Sequence, residues 1–299
     1  MQNQPNPEEP QWNILDLLKW TSSHFKSHAI DNPRATAEIL LAYALDLRRI
    51  DLYLRHDQPL TKEELNRFRQ LIIRRLRREP VAYIVGCKEF WSLELAVTPA
   101  VLIPRPETEC LVEAVLGLIP AANGGAGMRI LEMGTGSGAI SLAVASERSA
   151  AQLLASDASP LALELARRNA VHHRLAAGIH FVCGTWFDPF NDRNSRFDMI
   201  LSNPPYIPAP VIPTLQPEIH RFEPIMALDG GPDGLRAIRH ILARAPLFLK
   251  DGGWLLLEIG HDQAAAVQEI CRNCGAYADV RFIKDYSGHS RVLQARKKG

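Results

Sequence analysis

The sequence predicts an α/β fold in which a small helical bundle precedes a mostly parallel sheet with helices on both faces and an antiparallel hairpin at its C-terminal edge. Three observations support this prediction. Helical stripes of apolar residues fill residues 11–78, and apolar runs alternate with helical stretches from Met128 onward. Only residues 284–290 separate the last two apolar runs. Because this connection is too short for a crossover helix, we expect those two strands to be antiparallel.

The bulk composition is that of a globular protein. The chain has 299 residues, of which 46% are hydrophobic and 22% charged, and its net charge of +1 commits it to neither nucleic acid nor membrane. The first ten residues are polar and proline-rich, without the basic and apolar regions of a signal peptide. No run approaches the roughly 20 apolar residues of a membrane span. The odd count of 5 cysteines favours a reducing compartment, so we expect a cytoplasmic protein.

The N-terminal stripes predict a helical domain. Its third helix opens with the capping box Thr61-Lys62-Glu63-Glu64. The same helix carries a group of arginines, and a solvated helix face is a more economical interpretation than a patch for an acidic or RNA-bearing partner. The group consists of Arg67, Arg69, Arg74, Arg75, Arg77 and Arg78.

The periodicity changes near residue 80 and predicts the domain boundaries. Residues 88–91 and 94–97 are typical of a short hairpin. In the run Leu102-Ile103-Pro104-Arg105-Pro106-Glu107-Thr108-Glu109, two prolines exclude a regular helix and predict either a rigid linker or a loop over the cleft of the next domain. We therefore expect a helical domain over residues 1–80, a hairpin-and-loop connector over residues 81–108 and an α/β domain over residues 109–299.

The α/β domain contains the strand candidates of the predicted sheet. They are residues 129–131, 153–155, 179–182, 197–201, 254–257, 278–283 and 291–293. Cys271 and Cys274 form a C-x-x-C, but no second pair completes four zinc ligands and the spacing suits the end of a helix. We interpret both cysteines as helix residues and expect no metal site.

A glycine-rich turn follows the first strand. It consists of Gly134, Thr135, Gly136, Ser137 and Gly138, and the next strand ends in Asp157. Such a turn lets the backbone and a helix N-terminus approach a ligand, and a carboxylate at the second strand end can accept both hydroxyls of a ribose. The turn also satisfies the dinucleotide fingerprint, so both ligand classes stay open. Glu132, just before the turn, suits a cationic ligand such as S-adenosylmethionine better than a pyrophosphate.

The fourth strand ends in Asn203-Pro204-Pro205-Tyr206. The prolines keep the backbone extended, so the Asn203 side-chain oxygen and the Pro204 carbonyl can accept the two hydrogens of a planar –NH2 group while Tyr206 stacks on it. The alternative interpretation is a proline-stiffened turn without chemistry. We expect the first and fourth strands to be neighbours, so this slot should face the ligand at the glycine turn.

This slot suits methyl transfer to a nitrogen whose lone pair is delocalised. The displacement needs the nitrogen held at attack distance. Hydrogen bonds to its two hydrogens strengthen as positive charge develops on it, so they favour the transition state. Because the motif contains no carboxylate, we assign no general base.

The chain resembles the release factor glutamine methyltransferase family, the HemK-like enzymes, over nearly its whole length. The most specific of the matching runs is Ile103 to Glu109. The residues that support the resemblance are 80–86, 89–91, 102–109, 134–138, Asp157, Asn169, Trp186-Phe187, 203–206 and Arg221-Phe222-Glu223-Pro224. Glu132-Met133 stands where the family often has Asp-Leu, which preserves the charge.

The resemblance implies a Rossmann-like class I methyltransferase sheet and a role for each motif. Residues 134–138 would bind the methionine end of S-adenosylmethionine, Asp157 its ribose, and Trp186 would lie beside the adenine, although core packing is the simpler interpretation of a tryptophan. Asn203 would touch both cofactor and substrate. Pro204, Pro205 and Tyr206 would complete the substrate slot, with Asn203, Pro204 and Tyr206 as the catalytic residues.

The resemblance also implies the reaction and its partners. The family methylates the side-chain amide nitrogen of the glutamine in the Gly-Gly-Gln motif of peptide chain release factors and leaves S-adenosylhomocysteine. Its helical domain meets the rest of the release factor, so we expect a protein partner, no membrane, no nucleic-acid substrate and a monomer.

Four alternatives stay open. The sibling reaction on a glutamine of a ribosomal protein shares the core motifs. A methyltransferase acting on adenine or guanine would use the same slot, but it usually shows a basic surface. A nicotinamide-dependent oxidoreductase would leave residues 203–206 unexplained, and a catalytically silent binding module would leave two intact motifs without a purpose.

Overall fold

The computed structural model describes residues 12–191 and 196–299, and the chain forms two compact units, Met1–Gly86 and Cys87–Gly299. We call them the N-terminal and the C-terminal unit. The polar first ten residues, on which the signal-peptide prediction rests, lie outside the described residues. Within the described part, no helix is long and apolar enough to cross a membrane.

The N-terminal unit is helical. Its helices are α1 (Ile14–Ser27), α2 (Pro33–Leu45), α3 (Asp51–Leu54), α4 (Lys62–Leu76) and α5 (Val81–Val85). Their apolar faces enclose one core that includes the fully buried Phe25 and Phe68. The predicted capping box at the start of α4 is confirmed: Thr61 accepts a hydrogen bond from the Glu64 N–H, and Glu64 accepts one from the Thr61 N–H.

The arginines of α4 have different environments. Arg67, Arg69 and Arg77 are exposed, as expected for a solvated face. For Arg75 that interpretation is wrong, because only 4% of it is exposed and its Nη1 donates to the Glu79 carbonyl at 3.1 Å. Arg74 pairs with the Glu79 carboxylate at 2.6 Å. Part of the cluster therefore holds the end of its own helix.

The two units divide at Gly86 rather than near residue 80. Helix α5 lies in the N-terminal unit because Ile84 is buried in the helical core, with Val81 and Val85 packed against it. The helix ends at Gly86, whose φ of +81° is readily adopted only by glycine. The predicted hairpin is confirmed and begins the C-terminal unit as β1 (Cys87–Phe90) and β2 (Leu93–Ala96), which pair antiparallel.

The C-terminal unit is built on the predicted sheet. Its strands are β3 (Arg129–Met133), β4 (Gln152–Asp157), β5 (Ile179–Cys183), β6 (Phe197–Ser202), β7 (Leu249–Glu258), β8 (Tyr277–Lys284) and β9 (Ser290–Lys297). They are arranged in the order β5-β4-β3-β6-β7-β9-β8, in which the first five are parallel. Strand β9 pairs antiparallel with both β7 and β8, which confirms the predicted hairpin at the C-terminal edge.

Helices cover both faces of this sheet. They are α6 (Glu109–Leu118), α7 (Ala139–Glu147), α8 (Pro160–His172), α9 (Pro217–His220), α10 (Arg236–Arg244) and α11 (Ala264–Cys274). Because strand side chains alternate, Ile130 lies in one apolar core and Leu131 in the other. Cys271 and Cys274 occupy the last turn of α11, as predicted.

The strand order decides where the candidate site forms. Strands β3 and β6 are direct parallel neighbours, with Met133 opposite Ser202. The glycine turn after β3 and the Asn203 segment after β6 therefore leave the sheet side by side, at the edge where ligands bind in such sheets.

Candidate active site

The glycine turn is held by the neighbouring strand. The N–H groups of Gly134 and Thr135 both donate to the Ser156 carbonyl at the end of β4, at 2.8 and 3.0 Å. Gly134, Gly136 and Gly138 have φ values of +73°, +56° and +86°, which favour glycine. A Cβ on Gly136 would meet no atom within 4 Å. The turn therefore leaves open space against its backbone.

Asp157 closes one side of this turn. Its Oδ2 accepts a hydrogen bond from the Gly136 N–H and its Oδ1 one from the Ser159 N–H, both at 2.9 Å. Burial raises the pKa of Asp157, while these backbone donors oppose the rise. Since a carboxylate has about four lone-pair positions, each oxygen keeps the capacity to accept a ligand hydroxyl. This geometry fits a ribose.

Glu132 lies beneath the turn and is only 1% exposed. Its Oε2 accepts from the Thr135 hydroxyl at 2.8 Å, from the Ser141 N–H at 3.0 Å and from the Ser141 hydroxyl. Burial raises the pKa of Glu132 to about 7. A carboxylate this poorly solvated favours a cationic ligand beside it.

The Asn203 segment is held by side chains. The Asn203 Nδ2 donates to the Thr108 hydroxyl at 3.2 Å, and that hydroxyl donates to Glu258 Oε2 at 2.7 Å. The Tyr206 hydroxyl donates to the other oxygen, Glu258 Oε1, at 3.1 Å. Burial raises the pKa of Glu258, which is 1% exposed, whereas Thr108, Tyr206 and Arg291 lower it.

The roles of Thr108 and Glu258 were not predicted from the sequence. Thr108 stands in the proline-rich run that supports the family resemblance, where it received no role. Glu258 is the last residue of β7, just as Asp157 is the last residue of β4. A polar residue at the carboxyl end of a parallel strand was therefore the available signal.

An ion pair fastens the proline-rich run. The Arg105 Nη2 lies 2.5 Å from Glu223 Oε1, and the Ile103 N–H donates to Glu223 Oε2 at 3.3 Å. Glu223 belongs to the Arg221-Phe222-Glu223-Pro224 run, far along the chain. Arg105 therefore braces the loop that holds Thr108, and it also lines the cavity described next.

A cavity of about 480 Å³ brings most of the predicted site residues together. Its lining contains residues 134–137, Asp157, Trp186, Asn203 and Pro205. Among the described residues, the cavity lining does not include Gly138, Pro204 or Tyr206. Pro204 is buried, and the Tyr206 ring packs against an apolar core with its hydroxyl on Glu258.

Two further predicted residues have defined surroundings. Trp186 adopts a left-handed φ of +48°, which is strained for an aromatic residue. Asn169 is buried. Its Oδ1 accepts a hydrogen bond from the Ala96 N–H at 2.9 Å, and its Nδ2 donates one to the Ala96 carbonyl at 3.1 Å. It also donates to the Ser137 carbonyl at 2.8 Å, so it joins the hairpin to the glycine turn.

The residues of the cavity fit a nucleoside that carries a cationic group. The turn offers backbone at a helix N-terminus, Asp157 offers acceptors for hydroxyls, and Glu132 offers negative charge. Among the described residues, no group of three or more His, Cys, Asp and Glu could hold a metal ion. The sheet order together with this site defines a class I methyltransferase, a class that uses an S-adenosylmethionine-type methyl donor.

Comparison with known proteins leads from this class to a family. Residues 16–86 match the model described as "PrmC N-terminal domain", and residues 112–210 match "Methyltransferase small domain". The relative from Geobacter sulfurreducens named "Release factor glutamine methyltransferase" is 42% identical over 290 residues, covering 97% of this chain and 99% of the relative. A relative of the same name from Vibrio cholerae is 44% identical over 286 residues, covering 95% and 97%. The chain therefore belongs to the release factor glutamine methyltransferase family.

Solved structures support the fold. A methyltransferase from Pyrococcus furiosus superposes with a TM-score of 0.51 at 21% identity, covering 69% of this chain and 89% of its own. A human methyltransferase 10 domain containing protein gives a TM-score of 0.51 at 18% identity, covering 70% and 89%. At such low identity these likenesses concern the fold and no substrate.

Proposed function

We propose that this protein transfers a methyl group from S-adenosylmethionine to the side-chain amide nitrogen, N5, of the glutamine in the Gly-Gly-Gln motif of peptide chain release factors. The observation that carries the proposal is the Asn203 amide, which lines the cavity beside the glycine turn while Thr108 holds its Nδ2. The names of the relatives, which match over nearly the whole chain, support the choice of substrate.

In this proposal each end of the cavity binds one reactant. Residues 134–138 hold the methionine part of the cofactor, Asp157 its ribose hydroxyls and Trp186 its adenine, while Glu132 balances its positive charge. When bound, S-adenosylmethionine supplies an electrophilic methyl group on a sulfonium sulfur. The product form, S-adenosylhomocysteine, occupies the same residues.

The remaining residues orient the substrate amide. Asn203 Oδ1 and the Pro204 carbonyl accept its two hydrogens, so the nitrogen lone pair is aimed at the donor. These hydrogen bonds strengthen as positive charge develops on nitrogen and therefore favour the transition state over the ground state. Once methylated, the amide nitrogen releases one of its two hydrogens to solvent as a proton. Pro205 forms part of the slot wall, and the Tyr206 ring lies beside the planar substrate amide.

The substrate is a protein, so the proposal extends beyond the cavity. We assign the N-terminal unit to contact with the rest of the release factor, where the exposed Arg67, Arg69 and Arg77 are available for an acidic partner. We place the protein in the cytoplasm, where release factors act, and propose that it is a monomer. Sedimentation equilibrium tests the monomer directly.

The test is mass spectrometry after incubation of the protein with S-adenosylmethionine and a purified release factor. We expect a gain of one methyl group on the Gly-Gly-Gln peptide, and no gain when that glutamine is replaced by asparagine. The Asn203→Ala variant, which should still bind cofactor, is the matched enzyme control. If the wild-type protein binds cofactor by calorimetry but methylates no release factor, the proposal fails, and ribosomal protein and nucleic acid become the substrates to test.

A further inference from the structure

The Asn203 amide is held in one of two chemically different orientations. Its two ends have nearly the same shape, but Oδ1 only accepts hydrogen bonds and Nδ2 only donates them. A substrate –NH2 group can be bound only by an acceptor. The orientation of this amide therefore decides whether the slot holds the substrate nitrogen or repels it.

Two residues, Glu258 and Thr108, set this orientation, and we call them together with Asn203 the amide relay. An ionised carboxylate only accepts, and each Glu258 oxygen receives one hydroxyl, Tyr206 on Oε1 and Thr108 on Oε2. Because Thr108 has a single hydroxyl proton and uses it on Glu258, its oxygen can only accept from Asn203. The Nδ2 group satisfies this demand at 3.2 Å, so Oδ1 is the end left for a ligand.

We propose that Glu258 and Thr108 are positioning residues that fix the Asn203 amide with its acceptor oxygen toward the substrate nitrogen. This inference rests on the proposed function and adds to it the reason why the slot accepts an –NH2 group. The residues come from three separate elements, the turn before α6, the segment after β6 and the end of β7. Both positioning residues are buried, with Thr108 4% and Glu258 1% exposed.

The charge of Glu258 determines the direction of the whole relay. A neutral amide at this position has hydrogens of its own and can donate to Thr108. The Thr108 hydroxyl can then donate to Asn203 Oδ1, which would turn Nδ2 toward the substrate. The Asn203 Nδ2 donor would then face the substrate –NH2 donor. The substrate nitrogen would lose a hydrogen bond that stabilises its transition state.

The experiment compares Thr108→Val, which removes the hydroxyl at nearly constant shape, with Thr108→Ser, which keeps it. We expect Thr108→Val to lower kcat for release-factor methylation by about 100-fold. Thr108→Ser should restore kcat to within about fivefold of the wild-type value, and cofactor affinity by calorimetry should stay within about threefold in both variants. A loss of packing would instead impair Thr108→Ser at least as much as Thr108→Val, and that outcome would overturn the inference.

Thr21 provides a matched control. It is a fully buried threonine of α1, and its hydroxyl has no hydrogen-bond partner among the described residues. Thr21→Val should therefore keep wild-type kcat. Wild-type kcat in Thr108→Val would refute the relay, because the hydroxyl would then be dispensable.

A second variant keeps the test decisive if Thr108→Val does not fold. Glu258→Gln should lower kcat by a similar factor, and adding Thr108→Ser to it should bring no recovery. If both Thr108→Val and Glu258→Gln fold, the double variant should be no slower than the slower single variant, since both break one relay. Losses that multiply would show independent roles and contradict the inference.

A readout that does not depend on activity separates this inference from the proposed function. In protein labelled with ¹⁵N asparagine, the Asn203 side-chain NH2 signal, assigned by its loss in Asn203→Ala, should shift in Thr108→Val and return toward its wild-type position in Thr108→Ser. Unchanged signals would overturn the relay even if the wild-type enzyme methylates release factors. If the signal shifts in Thr108→Val as expected but the wild-type protein methylates no release factor, the proposed function is refuted and the relay stays supported.

Discussion

The two ends of the cavity are held in place by different means. At the glycine turn, backbone groups of neighbouring strands bind one another, and the supporting side chains of Glu132, Asp157 and Asn169 reach the turn from at most 32 positions away. At the Asn203 end, side chains do this work, and Thr108 is 95 positions from Asn203 and 150 from Glu258. A substitution at the first end should therefore change cofactor affinity, whereas one at the second should change the rate of methyl transfer.

The largest expected effect is that of Asn203→Ala. Removing the acceptor that orients the substrate nitrogen should lower kcat by about 100-fold or more, because its hydrogen bond strengthens in the transition state. Affinity for S-adenosylmethionine should stay within about tenfold, measured by calorimetry beside single-turnover methylation. A normal kcat would remove Asn203 from the slot, and a cofactor affinity reduced as much as kcat would abolish the contrast between the two ends.

The opposite pattern is expected for Asp157→Ala. Loss of the hydrogen bonds that ligand hydroxyls donate to a charged acceptor costs about 1.5–3 kcal/mol, so affinity for S-adenosylmethionine should fall by about 10- to 100-fold. At saturating cofactor, kcat should change little. Asp157→Asn is the control. Because it keeps one acceptor oxygen, its affinity for S-adenosylmethionine should lie between those of the wild-type protein and Asp157→Ala. An unchanged dissociation constant would refute the ribose role.

A smaller effect concerns the pH dependence at Glu132. Its pKa of about 7 lies above the ordinary value of 4.5 because burial disfavours the charged form. Ionisation as pH rises from 6 to 8 should strengthen binding of the cationic cofactor by about fivefold to tenfold. Glu132→Gln should remove this part of the pH dependence, while neighbouring Asp157 and the cofactor's own amine still titrate. Identical pH profiles of the two proteins would contradict the charge-balancing role.

The same pKa predicts a stability effect of known sign. The folded protein keeps a proton on Glu132 between about pH 4.5 and 7 that the unfolded chain releases. The stabilisation linked to this proton is therefore complete below about pH 4.5 and is lost as pH rises through about 7. Urea unfolding of wild-type protein and Glu132→Gln across this range measures the difference.

The smallest effect separates two glycines of the turn. Gly136→Ala adds a Cβ that meets no atom within 4 Å, so only the strain of its positive φ, roughly 1 kcal/mol, should reduce the free energy of unfolding. In Gly138→Ala the Cβ would lie 3.1 Å from Leu142 Cδ1 and 3.3 Å from Ala166 Cβ, so we expect a loss about twice as large. Urea denaturation measures the free energy of unfolding of both variants. Equal losses would show that Leu142 and Ala166 move to accommodate the added Cβ.

The fold class was predictable because its signals are local. Apolar runs of strand length, the short connection at residues 284–290 and the capping box at Thr61 each depend on neighbours in the chain, and the structure confirms them. The division between the units was less accessible. Residues 81–85 form a helix whose place depends on burial of Ile84 among distant helices, and a change of periodicity near residue 80 does not contain that information.

The candidate site was predictable to the same extent. Residues 134–137, Asp157, Trp186, Asn203 and Pro205 all line one cavity, and their motifs are contiguous or follow strand ends. The place of Tyr206 was harder to predict, since its ring packs against an apolar core and its hydroxyl binds Glu258. Its stacking role stays a prediction. The Tyr206→Phe variant keeps the ring and removes only the bond to Glu258, so a kcat near the wild-type value in this variant would support a role for the ring.

The sequence by itself determined the α/β architecture, the glycine turn and the proline-stiffened strand end, because periodicity, positive φ and the missing proline N–H act within a few residues. Only the tertiary structure decided that Thr108 and Glu258 hold Asn203, and that Glu223 holds Arg105. These partners are joined by hydrogen bonds between side chains far apart in the chain. Such bonds depend on strand order and burial, and neither leaves a pattern in the local sequence.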